Sequence, residues 1–281
     1  MEFGHHVSIA GGVFNAPANA ATVGGEIFQM FTRSPRGGNA PKLTDDIVDL
    51  FKTNCQKFGF KHYYVHTPYY INFASTNQKI YQASIRIIRE ELERSSLLGV
   101  KAVMTHLGSS KDTTRAKAID LVAAGLIKAL TGYQGTAQFL IEIAAGSGNV
   151  IGDTFDEIAT IIKKVQPKVK TTLGVCFDTA HAFASGYDLR TKQAVNKTFD
   201  QFDQLVGLEK LILIHGNDSL VDFGARVDRH WHIGQGKIGL EGFRSIINHP
   251  KLKKVDMILE TPDYTWDKKN LMTVKKIRDA R

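Results

Sequence analysis

Six apolar runs in this chain end on a histidine or a carboxylate. They are YYVH at His66, MTHL at His106, LIEI at Glu142, CFDTAH at Asp178 and His181, LIHGND at His215, and MILET at Glu260. Ordinary core strands do not place such residues at their C-terminal ends time after time. Parallel barrel strands that feed one active site do, because such sites lie at the carboxyl ends of the strands. The pattern predicts a fold and a metal centre together.

Eight β-like runs can be read, over 3–10, 26–33, 61–67, 101–107, 137–144, 172–179, 210–217 and 255–262. Helix-compatible stretches separate them, clearest over 44–59, 77–99 and 153–165. Thr44 suits an N-cap with an acidic first turn behind it, and Gly59 and Gly99 suit helix C-termini. Asp153 reads as the cap of the third stretch. Eight strand–helix alternations in 281 residues predict one α/β domain over 1–281, a (β/α)8 TIM barrel with its metal site at the C-terminal ends of the strands. A doubly wound sheet fits less well, since no G-x-G-x-x-G follows the first strand. The segment 217–239 is long and irregular and carries Asp228, His230 and His232, which marks it as functional.

Side chains two apart on a strand share a face. His106 therefore stands above Met104, Glu142 above Leu140, Asp178 above Cys176, His215 above Leu213 and Glu260 above Ile258. An inward face would be apolar below and ligand-bearing above. One strand-end histidine is ordinarily a hydrogen-bonded structural residue. Several converging carboxylates would repel one another and lose solvation, and metal ions resolve that conflict. Mixed histidine and carboxylate ligands fit Zn²⁺, with Mn²⁺ or Fe²⁺ as alternatives, and their number exceeds one tetrahedral site.

The formal charge of +8 favours a polyanionic partner. Cys55 and Cys176 form no disulfide framework and fit a reducing compartment. The opening MEFGHHVSIA has no secretory pattern, and no apolar window is long enough for a membrane span. A cytoplasmic, DNA-accessible location without membrane association is expected.

Further segments run in the same order as in a known family: GHHVSIAGG, FTRSPR, HTPYYINF, THLGSS, IEIAAGSGN, CFDTAHAFASGYDLRT, HGNDS, FGARVDRHWHIGQGKIG and ILETP. Over nearly the whole chain they resemble the endonuclease IV family of abasic-site DNA endonucleases, which are trinuclear-zinc TIM-barrel enzymes. The resemblance implies three metal groups: His66, His106 and Glu142; Glu142, Asp178, His215 and Glu260; and His181, Asp228 and His230. Three Zn²⁺ per chain are expected, with Mn²⁺ an alternative at one position. Catalytic roles are implied for Glu142 and Glu260.

The same resemblance implies hydrolysis of the phosphodiester 5′ to an abasic site in double-stranded DNA. The products would be a 3′-hydroxyl and a 5′-deoxyribose phosphate. A monomer is expected. The resemblance also places DNA-invading side chains at Arg36, Tyr69 and Tyr70. Arg229, between two candidate ligands, suits a phosphate contact, and His6, at the end of the first strand, suits support of the metal ligands. Three positions depart from the family pattern: Ile143 where asparagine is usual, Leu107 where proline is usual, and Gly37–Gly38 where a large aromatic often follows Arg36. The competing reading is a metal-dependent sugar isomerase or epimerase on a similar barrel. Such enzymes use one or two metals and need neither Asp178-x-x-His181 nor Asp228-x-His230. A non-catalytic DNA-damage binder is a third reading, disfavoured by the complete ligand set.

Overall fold

Eight of the strands in the computed structural model, which describes residues 1–280, close into a parallel barrel. They are β1 (Phe3–His6), β2 (Ile27–Met30), β3 (Tyr63–His66), β4 (Ala102–Thr105), β5 (Gln138–Glu142), β6 (Leu173–Asp178), β7 (Leu211–His215) and β10 (Asp256–Leu259). The order around the barrel is β1-β10-β7-β6-β5-β4-β3-β2. A short antiparallel pair, β8 (Asp218–Ser219) and β9 (His230–Trp231), lies in the connection between β7 and β10. The barrel strands are shorter than the apolar runs suggest. The ladder ends at or just before each polar terminus, and the apolar residues beyond it pack as loops.

The barrel interior is a small apolar cluster of Ile27, Tyr64, Ala102, Met104, Leu140, Cys176, Leu213 and Ile258. Tyr64, Met104, Leu140, Cys176, Leu213 and Ile258 each stand two residues before a candidate ligand. The period-2 alternation of a strand therefore stacks one inward apolar residue beneath each polar one. A much larger cluster, rich in Ile, Val and Phe, fills the shell between barrel and helices.

The helices are α1 (Ala16–Val23), α2 (Asp45–Lys57), α3 (Gln78–Leu98), α4 (Arg115–Leu130), α5 (Phe155–Val165), α6 (Thr179–Ala184), α7 (Lys192–Leu205), α8 (Gly239–Ile247) and α9 (Asp267–Asp279). In α2 the Thr44 side chain accepts from Ile47 N, Asp45 and Asp46 occupy the positive end, and Val48, Phe51 and Cys55 form the buried stripe. Gly59 and Gly99 adopt positive φ just past α2 and α3. The start of α5 corrects the sequence expectation. Its cap is Thr154, whose hydroxyl accepts from Glu157 N, while the buried Asp153 pairs with Arg115 and Arg226. No helix among the described residues is long and apolar enough to cross a membrane.

Candidate metal centre and active site

Different elements deliver the polar termini to one end of the barrel. His66, Glu142, Asp178 and His215 are the last residues of β3, β5, β6 and β7; His106 and Glu260 follow β4 and β10 directly. His181 comes from α6, whose N-cap is Asp178: its carboxylate accepts from His181 N at 2.8 Å. That one capping bond fixes the spacing of Asp178-x-x-His181. Asp228 lies in the long loop after β7 and His230 in β9.

Three groups of donor atoms result. His66 Nε2 and His106 Nε2 lie 2.9 and 3.6 Å from Glu142 Oε2. Glu142 Oε1 lies 3.0 Å from His215 Nδ1, which in turn is 3.1 Å from Glu260 Oε2 and 3.9 Å from Asp178 Oδ2. Asp228 Oδ1 lies 3.3 Å from His181 Nε2 and 3.5 Å from His230 Nε2. Glu142 thus spans the first two groups, one oxygen to each. Asp178, expected only in the second group, also stands 3.5 Å from His230 Nε2 in the third.

The histidine tautomers follow from the backbone. His66 Nδ1 lies 2.6 Å from Thr67 O, His181 Nδ1 3.0 Å from Ile143 O, and His230 Nδ1 3.0 Å from Glu260 O. A carbonyl only accepts, so each Nδ1 carries hydrogen, and the neutral ring presents a bare Nε2 to the cluster. His181 Nε2 and His230 Nε2 face each other at 3.2 Å. Two lone pairs at that distance repel unless a proton or a metal ion lies between them. The donor set therefore fits metal ions: five imidazoles held in ligand tautomers or beside carboxylates, and four carboxylates, three of them at least half-buried in one barrel mouth.

Protonation in the metal-free protein reflects the same crowding. Burial disfavours charge on Glu142 and Glu260, yet the surrounding imidazoles outweigh it: His106 and His215 around Glu142, His215 and His6 around Glu260. Both carboxyls stay well below the usual carboxylate range. Burial likewise opposes charge on His181, but Asp178 and Asp228 raise it to about 10. Burial lowers His106 despite Glu142 nearby.

Several supporting residues carry no sequence signal of their own. Gln29, in the middle of an apolar run, donates from Nε2 to Glu260 Oε1 (2.6 Å) and accepts at Oε1 from His215 Nε2 (2.8 Å). It thereby leaves His215 Nδ1 free to face the carboxylates. Asn217 donates to Asp178 Oδ2 and accepts from Glu260 N, at 2.6 and 2.7 Å. Buried Asp218 accepts backbone N–H groups from Ser219, Gly234, Gly236, Ile238 and Gly239. It pins the Gly-rich segment after β9 and so holds the strand that carries His230. At Gly236 a Cβ would stand 2.4 Å from Ser219 O, so only glycine fits there.

His6 Nδ1 is 3.2 Å from Glu260 Oε1, at the edge of the second group. Its ring leans on Phe31, which also meets His66 and Tyr69 edge-on. Two cavities open above the donors. One, of 380 Å³, is bounded by Tyr69, Tyr70, His106, His181, Asp228 and the apolar Ile151. The other, of 530 Å³, runs from His6 and Glu260 past Tyr69 to Tyr264. Tyr264, 81 % exposed and unanticipated in the sequence, faces that cavity beside strained Asp263 (φ 67°). Arg36 is exposed on the loop after β2, which Tyr69 N joins by a 3.3 Å bond to Pro35 O. Arg229 is exposed and turns its guanidinium back to Asp228 O at 2.6 Å. Of the departures from the family pattern, Ile143 and Leu107 are fully buried in the outer core, so neither side chain offers a polar group to the donors.

Residues 17–279 match the family model described as xylose isomerase-like TIM barrel. A probable endonuclease 4 from Chlorobium phaeobacteroides (strain BS1) is 39% identical over 262 residues, covering 92% of this chain and 91% of that protein. The crystal structure of endonuclease IV from Thermus thermophilus superposes with a TM-score of 0.89 at 34% identity, covering 100% of both chains. A D-tagatose 3-epimerase-like protein shares the fold at a TM-score of 0.76 but only 17% identity, over 100% of this chain and 98% of that one. The chain belongs to the endonuclease IV family of xylose isomerase-like TIM-barrel enzymes.

Proposed function

We propose that this enzyme hydrolyses the phosphodiester 5′ to an abasic site in double-stranded DNA, leaving a 3′-hydroxyl and a 5′-deoxyribose phosphate. The observation that carries the reading is the convergence of nine donor residues, several of the histidines locked as bare-Nε2 tautomers, beneath two open cavities. The endonuclease names of its relatives and a formal charge of +8 point to DNA as the polyanion.

In this reading three Zn²⁺ are held by His66, His106 and Glu142; by Glu142, Asp178, His215 and Glu260; and by His181, Asp228 and His230. Bound there, they supply positive charge for a phosphoryl oxygen and a source of hydroxide at neutral pH. Glu142, gripped by His66 on one oxygen and His215 on the other, orients the attacking oxygen from a fixed position. Glu260, held by Gln29 and His6, keeps its carboxylate facing His215. An abasic nucleotide costs least to extrude because its pairing is already lost. The 380 Å³ cavity receives it against an apolar wall, while Tyr69 and Tyr70 enter the gap left in the stack. Arg36 enters the duplex beside the tyrosines, and Arg229 meets a phosphate. The enzyme acts as a monomer where DNA is accessible, in the cytoplasm.

The test is incubation of metal-replete protein with duplex DNA bearing one abasic analogue, followed by identification of both cut ends. Cleavage on the 5′ side with a 3′-hydroxyl end is expected. Cleavage on the 3′ side, or intact DNA together with epimerisation of a ketose, overturns the reading.

A further inference from the structure

The opposite mouth of the barrel carries a second His–carboxylate constellation that the nuclease reaction does not use. Glu2 immediately precedes β1, His62 immediately precedes β3, and Asp256 is the first residue of β10. Their donor atoms all lie within 4.8 Å of one another. We propose that Glu2, His62 and Asp256 form a binding site for a first-row transition-metal dication, of which Zn²⁺ is the representative. The site lies at the N-terminal end of the barrel and is independent of the nuclease reading.

The two distances from His62 are those between ligands of one metal ion. His62 Nδ1 stands 3.4 Å from Glu2 Oε2 and 3.5 Å from Asp256 Oδ2. Ligand atoms about 2.0–2.1 Å from a tetrahedral zinc ion are separated from each other by about 3.3–3.4 Å. The same spacing is long for an N–H···O hydrogen bond. Accordingly His62 Nδ1 is shut off from solvent, although its ring is half-exposed, and it has no hydrogen-bond partner. A shielded ring nitrogen without a partner, facing two carboxylates, is the arrangement that a metal ligand needs.

Asp256 is pre-oriented. Its Oδ2 accepts from Tyr64 Oη at 2.6 Å, so a residue of the barrel interior fixes the carboxylate, as outer partners do for metal ligands. The main chain ties Glu2 to the same strand, because Met257 N donates to Glu2 O at 2.9 Å and β1 and β10 are paired. One group opposes the ion. Lys101 Nζ lies 2.9 Å from Asp256 Oδ2. It leaves the site with one net negative charge rather than two, and its half-exposed ammonium can withdraw into solvent when a dication arrives. An ion there ties the starts of three strands together at the barrel face that serves stability rather than chemistry.

The experiment titrates Zn²⁺ into holoenzyme whose active-site metals are already in place, reading stoichiometry by equilibrium dialysis and Tm in parallel. Wild type is expected to take up one equivalent more than His62→Ala, with a rise in Tm that the variant lacks. Lys101→Gln is expected to tighten that extra equivalent by roughly threefold to tenfold, since it removes the competing charge. Abasic-DNA cleavage stays unchanged in His62→Ala. Equal zinc uptake and equal Tm in wild type and His62→Ala overturn the proposal. So does weaker zinc binding in Lys101→Gln, which would make the cluster a plain salt-bridge network.

Discussion

Gln29 stands between His215 and Glu260, accepting from the ring of one and donating to the carboxylate of the other. The amide thereby selects which nitrogen of His215 faces the cluster and which oxygen of Glu260 stays available. Gln29→Leu keeps most of the volume and removes both bonds. Loss of such outer partners typically costs about 10–100-fold in metal affinity or activity. We expect cleavage to fall within that range and zinc to be stripped more readily by a competing chelator. The check is zinc retention against chelator concentration, measured beside the cleavage rate. Wild-type retention would show that His215 and Glu260 are held without the amide.

Glu142 gives one oxygen to the His66 side and the other to the His215 side. Protein purified without chelator is expected to contain close to three zinc ions per chain. Glu142→Gln keeps the shape and removes the shared charge. It should lose most cleavage while still binding abasic DNA, because the basic surface and the tyrosines are untouched. Elemental analysis and a binding titration decide both points. One metal in fully active protein, or near-wild-type turnover in the metal-replete variant, would remove the three-ion assignment.

The barrel and the convergence of the strand-end histidines and carboxylates are legible in the sequence because both follow from one period. Alternation on a strand puts Leu140 below Glu142 and Leu213 below His215, and parallel pairing brings such termini to one rim. What stays hidden lacks a period. Gln29 sits inside an apolar run and resembles a tolerated core amide until its neighbours from β7 and β10 are known. Asp218 reads as one acidic residue in a loop, yet it collects backbone N–H groups from residues up to twenty-one positions away. Asp153 resembles a helix cap because local spacing does not reveal Arg115 and Arg226, which arrive from other elements. His62 and Asp256 begin apolar runs rather than end them, so a search for polar termini passes over them.

Glu26 links the end of the chain to its beginning. Its carboxylate accepts from Phe3 N and from both terminal nitrogens of Arg278. Burial raises its pKa, but Arg278, Phe3 N and Lys275 outweigh that and hold it below the usual 4.5. A carboxyl whose folded pKa is depressed contributes stability above its unfolded pKa and loses it as pH falls through the folded value. Glu26→Gln should therefore cost about 1 kcal/mol at neutral pH. The gap from wild type should narrow as pH drops below 4.5. Urea denaturation of both proteins across that range is the measurement. A gap independent of pH would assign the loss to packing rather than charge.

Replacing Tyr69 and Tyr70 tests lesion recognition apart from general attraction to DNA. Tyr69 is 67 % exposed, with its ring edge-on to Phe31 5.4 Å away, and Tyr70 borders the adjacent cavity. Neither donates to the metal groups. Binding by a basic protein weakens steeply with salt, with a slope set by the number of phosphates neutralised. An aromatic ring that fills the gap at an abasic site adds a contribution that intact duplex cannot supply, and that contribution does not depend on counterions. Replacing both tyrosines with alanine should lower the preference for abasic over intact duplex while leaving the salt slope and the zinc content nearly unchanged. Salt titrations on the two duplexes, with wild type and double variant, measure both quantities. If the double variant keeps its full lesion preference, the stacking group lies elsewhere on the rim. Tyr264, more exposed still and facing the neighbouring cavity, is then the residue to replace, followed by Arg36.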